Sequence, residues 1–351
     1  LSVLGLGDEL ARIIAIASGK GGVGKTTVAL NLATILAHRF KRKVTLIDCN
    51  VTTSHLGMYL GMYYSPITLN KVLRSEVSIK EAVYKHVGGL KVIPASLSIS
   101  DLDGVDITKL REKIDPIANE NEIILLDSAP GLGRESVATL KAADEVLFVT
   151  TPYVPSVMDI IRTMEIVNEI GIKPLGIVLN MVDKEKYEMS SQEVEQLTRL
   201  PVIASIPYDK VINKSLVEKL PVVIFKRDSR VSKSFVKLGA NLIGVPYEEK
   251  GNIFSRLAKK LGRRKRRDMP PALLTPDLHG IDFEAPSYQA LFSERRIGLS
   301  GLPPAPTPAT DMAEADLDTG TQFAAPERPE FLKSSVPEPE PPTKKMPTEE
   351  E

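Results

Sequence analysis

The chain has 351 residues, 42% hydrophobic and 26% charged, and its 45 basic and 45 acidic side chains balance to a formal net charge of zero. This describes a globular protein longer than one typical domain, and the single cysteine, Cys49, excludes a disulfide framework or a thiolate cluster within one chain. Tryptophan is absent and no run of about 18 apolar residues offers a membrane span; residues 1–9 also lack the basic start and apolar core of a secretory signal, so a cytoplasmic location is expected.

Residues 12–17 (RIIAIA) read as a short buried strand that feeds a glycine loop, Ser18-Gly19-Lys20-Gly21-Gly22-Val23-Gly24-Lys25-Thr26-Thr27. The loop fits the phosphate-binding pattern G-x-x-x-x-G-K-[ST], with Gly19 and Gly24 fixed and Lys25-Thr26 closing it. Gly21, Gly22 and Gly24 let successive amide N–H groups curl around phosphate oxygens. Residues 26–38 read as a helix opening at the loop, which adds the positive end of its dipole. Lys25 is expected to bridge the terminal phosphates and the Thr26 hydroxyl to ligate Mg²⁺. The expected nucleotide-binding set is therefore Gly19, Lys20, Gly21, Gly22, Val23, Gly24, Lys25, Thr26 and Thr27. Lys20 is an additional lysine. It stands too close to its own loop to be needed for the phosphates held there, and it is placed to reach a neighbouring subunit.

Residues 43–48 (KVTLID) form the second expected strand, followed by 90–94, 122–127 (EIILLD), 145–150 (EVLFVT), 175–180 (LGIVLN) and 202–206. Helical patterns lie between or after them, notably 155–170, 191–197 and 231–242. Strands alternating with helices imply an α/β fold, a mainly parallel sheet with helices on both faces. Ligands in such sheets bind at the carboxyl ends of the strands, where the glycine loop sits. Asp48 and Asp127 each close a buried strand and are the candidate Mg²⁺ carboxylates, although strand-end aspartates also form turns and cap helices. Cys49 is expected to pack as a small buried residue. His55 lies in a polar stretch, Thr52-Thr53-Ser54-His55, where a lone histidine is ordinarily solvated. His38, His86 and His279 are scattered and make no metal-ligand spacing.

KGGVGKTT, a strand ending in Asp48, and LLDSAPG together resemble the MinD/ParA family of deviant Walker A ATPases. The resemblance covers about residues 10–248 and extends to IPAS at 93–96, to Ser205-Ile206-Pro207-Tyr208-Asp209 and to Pro221-Val222-Val223. It implies a P-loop ATPase that binds ATP and Mg²⁺ and forms a sandwich homodimer on ATP, with Lys20 contacting the nucleotide of the partner. It also implies that Asn180 reads the adenine and that the segment from Pro207 flanks the base. One departure stands out. The family pattern after the second strand is Asp-x-Asp, its second Asp orienting the attacking water; here the sequence is Asp48-Cys49-Asn50. An Asn amide can hydrogen-bond a water but cannot accept its proton, so Lys20, Lys25 and Asn50 form the expected catalytic set and hydrolysis is expected to be slow.

Beyond the ATPase domain, residues 251–267 carry eight Lys or Arg and no acid. At about 100° per residue, Ile253, Phe254, Leu257, Ala258 and Leu261 share one arc, while Arg256, Lys259, Lys260 and Arg263 lie opposite. That is the pattern of a helix in a membrane interface, its apolar face down and its basic face toward anionic headgroups, and it resembles the membrane-targeting helix of MinD. Ile253, Phe254, Leu257 and Leu261 are the expected membrane contacts, at the inner face of the cell membrane. A last core helix and a phosphate-binding DNA segment stay open as alternatives. Residues 268–351 hold 16 acidic against six basic side chains and 15 of the 26 prolines. This tail is expected to be disordered and to act as a tether or to recruit a regulatory or cargo protein. The expected function is thus a MinD-like, membrane-associating positioning ATPase. The alternatives are a ParA-like ATPase on nonspecific DNA and a nucleotide-dependent scaffold with little turnover.

Overall fold

The computed structural model describes residues 11–246. The run RIIAIA forms β1 (Arg12–Ala17), whose side chains divide by parity between two cores: Ile13, Ala15 and Ala17 enter one, Ile14 and Ile16 the other. Both faces are covered, so the central strands read as unbroken apolar runs rather than alternating ones. The remaining strands are β2 (Val44–Asp48), β3 (Tyr84–Lys85), β4 (Lys91–Ile93), β5 (Ile123–Asp127), β6 (Glu145–Thr150), β7 (Lys173–Val182) and β8 (Val202–Pro207). They form one sheet in the order β3-β4-β2-β5-β1-β6-β7-β8. All pairings are parallel except the short edge strand β3, which runs antiparallel to β4.

Helices cover both faces. The helices are α1 (Lys25–His38), α2 (Leu56–Tyr59), α3 (Leu69–Leu73), α4 (Leu110–Ala118), α5 (Arg134–Ala142), α6 (Val154–Ile170), α7 (Ser191–Thr198), α8 (Val211–Val217), α9 (Val222–Phe225) and α10 (Arg230–Leu242). Helices α3 to α7 bury their apolar stripes in the core that holds Phe148, Leu126 and Ile13. Helices α1, α2, α8, α9 and α10 build the other core, around Leu30, Leu46 and Phe235. Asn31 links two of them: its Nδ2 donates to Thr27 O in its own helix, and its Oδ1 accepts Val223 N at 3.2 Å. That bond explains why the Pro221-Val222-Val223 segment sits on α1.

The expected α/β architecture is the observed one. Boundaries of the expected elements move by at most two residues, the largest change being β7, which extends two residues past each end of 175–180. The expected elements do not include the two-residue β3 or the helices α2, α3, α4, α5, α8 and α9. The segments 251–267 and 268–351, with their expected helix and tail, lie outside the described residues.

Candidate nucleotide site

The loop between β1 and α1 is shaped by what presses on it. Gly24, the residue before α1, has φ +87°, in the left-handed region that favours glycine. No side chain caps the helix, so its first N–H groups remain available to an anionic ligand. A side chain at Gly24 would overlap Asn180 Nδ2. A side chain at Gly19 would overlap Asp159 of α6 and lie 2.5 Å from its carbonyl oxygen. Two of the glycines are therefore required by neighbours as well as by phosphate access. Ser18 Oγ closes the loop's near side by donating to Lys20 O at 2.8 Å. Asn180, near the end of β7 and buried, donates from Nδ2 to Val23 O at 2.8 Å.

Lys25 opens α1 with its side chain buried, facing Asp127 and Asp48. Burial holds its ammonium below the usual lysine range, and the two carboxylates pull it partly back. Those carboxylates stand side by side because β2 and β5 pair with Asp48 opposite Asp127. Burial raises the Asp127 carboxyl to about 7, with the neighbouring Asp48 adding to the shift and the hydrogen bond to Thr26 and the Lys25 charge opposing it. Asp48 rises to about 6, again through burial. It is partly restrained by the hydrogen bonds it accepts from Ser54 Oγ (2.6 Å), Asn50 N (3.1 Å) and Leu56 N (3.4 Å).

Two buried carboxyls face one buried ammonium, and Asp127 Oδ1 has no hydrogen-bond partner. An oxygen so placed costs free energy unless a cation or donor reaches it. Thr26, Asp48 and Asp127 are oxygen donors of the kind a hard divalent cation takes, so the residues fit Mg²⁺. Among the described residues no group of three or more His, Cys, Asp or Glu could hold a metal. Mg²⁺ at phosphate sites needs only one or two carboxylates, with phosphate and water oxygens completing its shell.

The other expected residues fall around this centre. Lys20 is exposed on the loop, unlike Lys25. Val23 and Thr27 are buried beneath it. Pro207 ends β8 opposite Val182, at the same sheet edge as Asn180, and Tyr208 N donates to Val182 O at 3.0 Å. Cys49 is buried between the two polar positions, its thiol pushed up by burial. His55 is exposed, its ring 6.3 Å from that of Tyr59. Asn50 is tied into its own loop: Nδ2 donates to Thr53 O at 2.8 Å, and Oδ1 accepts Thr53 Oγ1 at 3.0 Å and Thr53 N at 3.3 Å. Three residues of the site were not singled out from the sequence. Ser54 holds Asp48, Asp159 backs Gly19, and Glu135 of α5 bonds the Thr52 hydroxyl. Only Ser54 is close in sequence to the residue it serves.

Comparison with known proteins gives the family and the fold. Residues 14–222 match the family model described as the CobQ/CobB/MinD/ParA nucleotide binding domain. An uncharacterized ATP-binding protein of Methanocaldococcus jannaschii is 34% identical over 261 residues, which is 73% of this chain and 98% of that protein. The crystal structure of the cell division ATPase MinD of Pyrococcus furiosus superposes with a TM-score of 0.65 at 31% identity, covering 67% of this chain and 99% of that one. The septum site-determining protein MinD of Pyrococcus horikoshii, complexed with Mg-ADP, gives a TM-score of 0.64 at 29% identity over 66% of this chain and 96% of that one. With the glycine loop, the paired strand-end aspartates and the sheet order in place, the chain belongs to the CobQ/CobB/MinD/ParA family of nucleotide-binding domains.

Proposed function

We propose that this protein is a MinD-like ATPase that binds ATP and Mg²⁺ in the loop of residues 19–27, dimerises on ATP and uses the dimer to hold residues 251–267 on an anionic membrane surface. The observation that carries the reading is the contrast between its two loop lysines. Lys25 is buried against Asp127 and Asp48, whereas Lys20 is exposed on the same loop. One lysine serves the phosphates of its own site; the other is free to reach a site on a second copy. Thr26, Asp48 and Asp127 hold the metal, whose chemistry is to offset the charge on the β- and γ-phosphates. The Pyrococcus horikoshii relative complexed with Mg-ADP supports a magnesium-bound adenine nucleotide as the ligand. Asn180 and Pro207 border the base, and Asn180 also braces the loop through Val23.

Dimerisation matters for attachment because two weak membrane anchors on one particle gain effective concentration, on the order of 100-fold or more over one. The protein is then a peripheral one at the inner face of the membrane, positioning division or polar machinery, with the segment 268–351 recruiting the cargo. Among the described residues no helix is long and apolar enough to cross a membrane. Hydrolysis is slow because the Asn50 amide is engaged by Thr53.

The test is light scattering of the purified full chain with ATP and Mg²⁺, paired with vesicle co-sedimentation. The expected result is an ATP-dependent dimer that Lys20→Ala abolishes while ATP is still bound, and vesicle pelleting that Ile253→Glu reduces. A monomer in saturating ATP would overturn the dimer reading. DNA binding that survives removal of residues 251–351 would favour a ParA-like surface instead.

A further inference from the structure

We propose that Glu135 is a catalytic residue of ATP hydrolysis, the carboxylate that accepts a hydrogen bond from the attacking water in the place left by Asn50. The inference rests on the nucleotide-site reading above. It begins with Asn50, whose amide is engaged at both ends by Thr53. Holding a water as well would require that loop to open. The position where the family carries a second aspartate therefore presents neither a carboxylate nor a free amide.

Glu135 supplies a carboxylate to the same loop from elsewhere in the chain. It lies in the first turn of α5, the helix that follows β5 and Asp127. Its Oε1 accepts the hydroxyl of Thr52, two residues from Asn50 and 83 positions away in sequence. The backbone that carries it is fixed: Thr139 Oγ1 donates to Glu135 O at 2.7 Å, and the neighbouring Arg134 pairs with Asp106 at 3.4 Å. No Lys or Arg pairs with Glu135 among the described residues, so its oxygens keep lone pairs for a water. An acidic residue in a helix's first turn is also favoured by the dipole alone. That role would hold the helix but would not touch turnover.

In the step, an O–P bond forms from the water oxygen to the γ-phosphorus as the bond to the β–γ bridging oxygen breaks. ADP leaves with that oxygen. The proton held toward Glu135 in the transition state ends on the released inorganic phosphate.

The experiment compares the full chain with Glu135→Gln, Asn50→Asp and the double variant, measuring phosphate release and the affinity of a fluorescent ATP analogue. Glu135→Gln is expected to lower kcat by about 100-fold or more, the scale of a positioned proton-accepting group, with affinity unchanged. Restoring the missing carboxylate in Asn50→Asp/Glu135→Gln is expected to return turnover to the wild-type rate or above. A Glu135→Gln variant that hydrolyses at the wild-type rate would overturn the proposal, as would a loss of kcat that Asn50→Asp fails to rescue. Either of these with ATP still bound leaves the nucleotide-site reading intact. A wild-type chain that binds no ATP would overturn both.

Discussion

The loop of residues 18–24 and the loop of residues 49–55 face the same site but are built differently. The first is backbone held from below. Gly19 abuts Asp159, Val23 O is held by Asn180, and Lys25 lies buried against two carboxyls. The second is a polar stretch whose side chains bond mostly to each other and to Asp48: Asn50 to Thr53, and Ser54 to Asp48. A site that must bind tightly is well served by preorganised backbone N–H groups, which lose little on ligand arrival. The chemistry of the attacking water depends on a few replaceable side chains. Binding and turnover are thus separable here, and substitutions in the two loops should have different signatures.

The largest effect is expected from Lys25→Ala. It leaves Asp48 and Asp127 without their buried cation and the phosphates without theirs. A loss on the order of 3 kcal/mol or more follows from truncating a buried charge partner, seen by titration calorimetry as roughly 100-fold weaker ATP binding or worse. If affinity stayed within a few-fold of wild type, the preorganised-loop side of the comparison would be wrong.

Asn50→Asp acts on the other loop and should leave binding alone. The new carboxylate can still accept from Thr53 N and Oγ1 but cannot donate to Thr53 O, so its second oxygen is freed for the water. Turnover should rise by about tenfold or less, with unchanged affinity. Equal turnover in the two forms would mean that Asn50 does not slow the chemistry.

The smallest effect is thermodynamic. In the unfolded chain Asp48 and Asp127 ionise near 3.8; in the fold they hold their protons up to about 6 and about 7. The folded state therefore binds more protons in this interval, and nucleotide-free stability falls as pH rises through it. Asp127→Asn removes the larger share of that loss. Its melting temperature should exceed the wild-type value by a few degrees at pH 8 and approach it near pH 4. Curves that run parallel across this range would show that the pair is not charged at a cost in the free protein. Mg²⁺ with nucleotide should flatten the wild-type curve.

The parts of the molecule legible in the sequence were those whose physics is local. RIIAIA, KVTLID, EIILLD and EVLFVT read as strands because burial on both faces leaves an unbroken apolar run, and the glycine loop read as a phosphate site because its spacing is its function. Asp48 and Asp127 could be named as strand ends, but only the register of β2 against β5 puts them side by side. Glu135 had no signal at all: its link to Thr52 spans 83 residues and joins two polar segments. Asn50 could be seen to depart from the family pattern, yet its bonds to Thr53 depend on the turn the loop takes. The edge strand β3 and the helices α2 and α3 are two to five residues long, too short for a period to declare itself.

The central place of β1 also has a consequence for biosynthesis. The strand that leads into the phosphate loop is among the first described segments to leave the ribosome. Its partners β5 and β6 begin only at Ile123 and Glu145, and Asn180 comes later still. At ~5–20 residues per second, roughly ten to thirty seconds separate the synthesis of the loop from that of its last brace. During that interval ATP has no finished site to bind, so nucleotide can stabilise the completed domain but cannot guide its early folding.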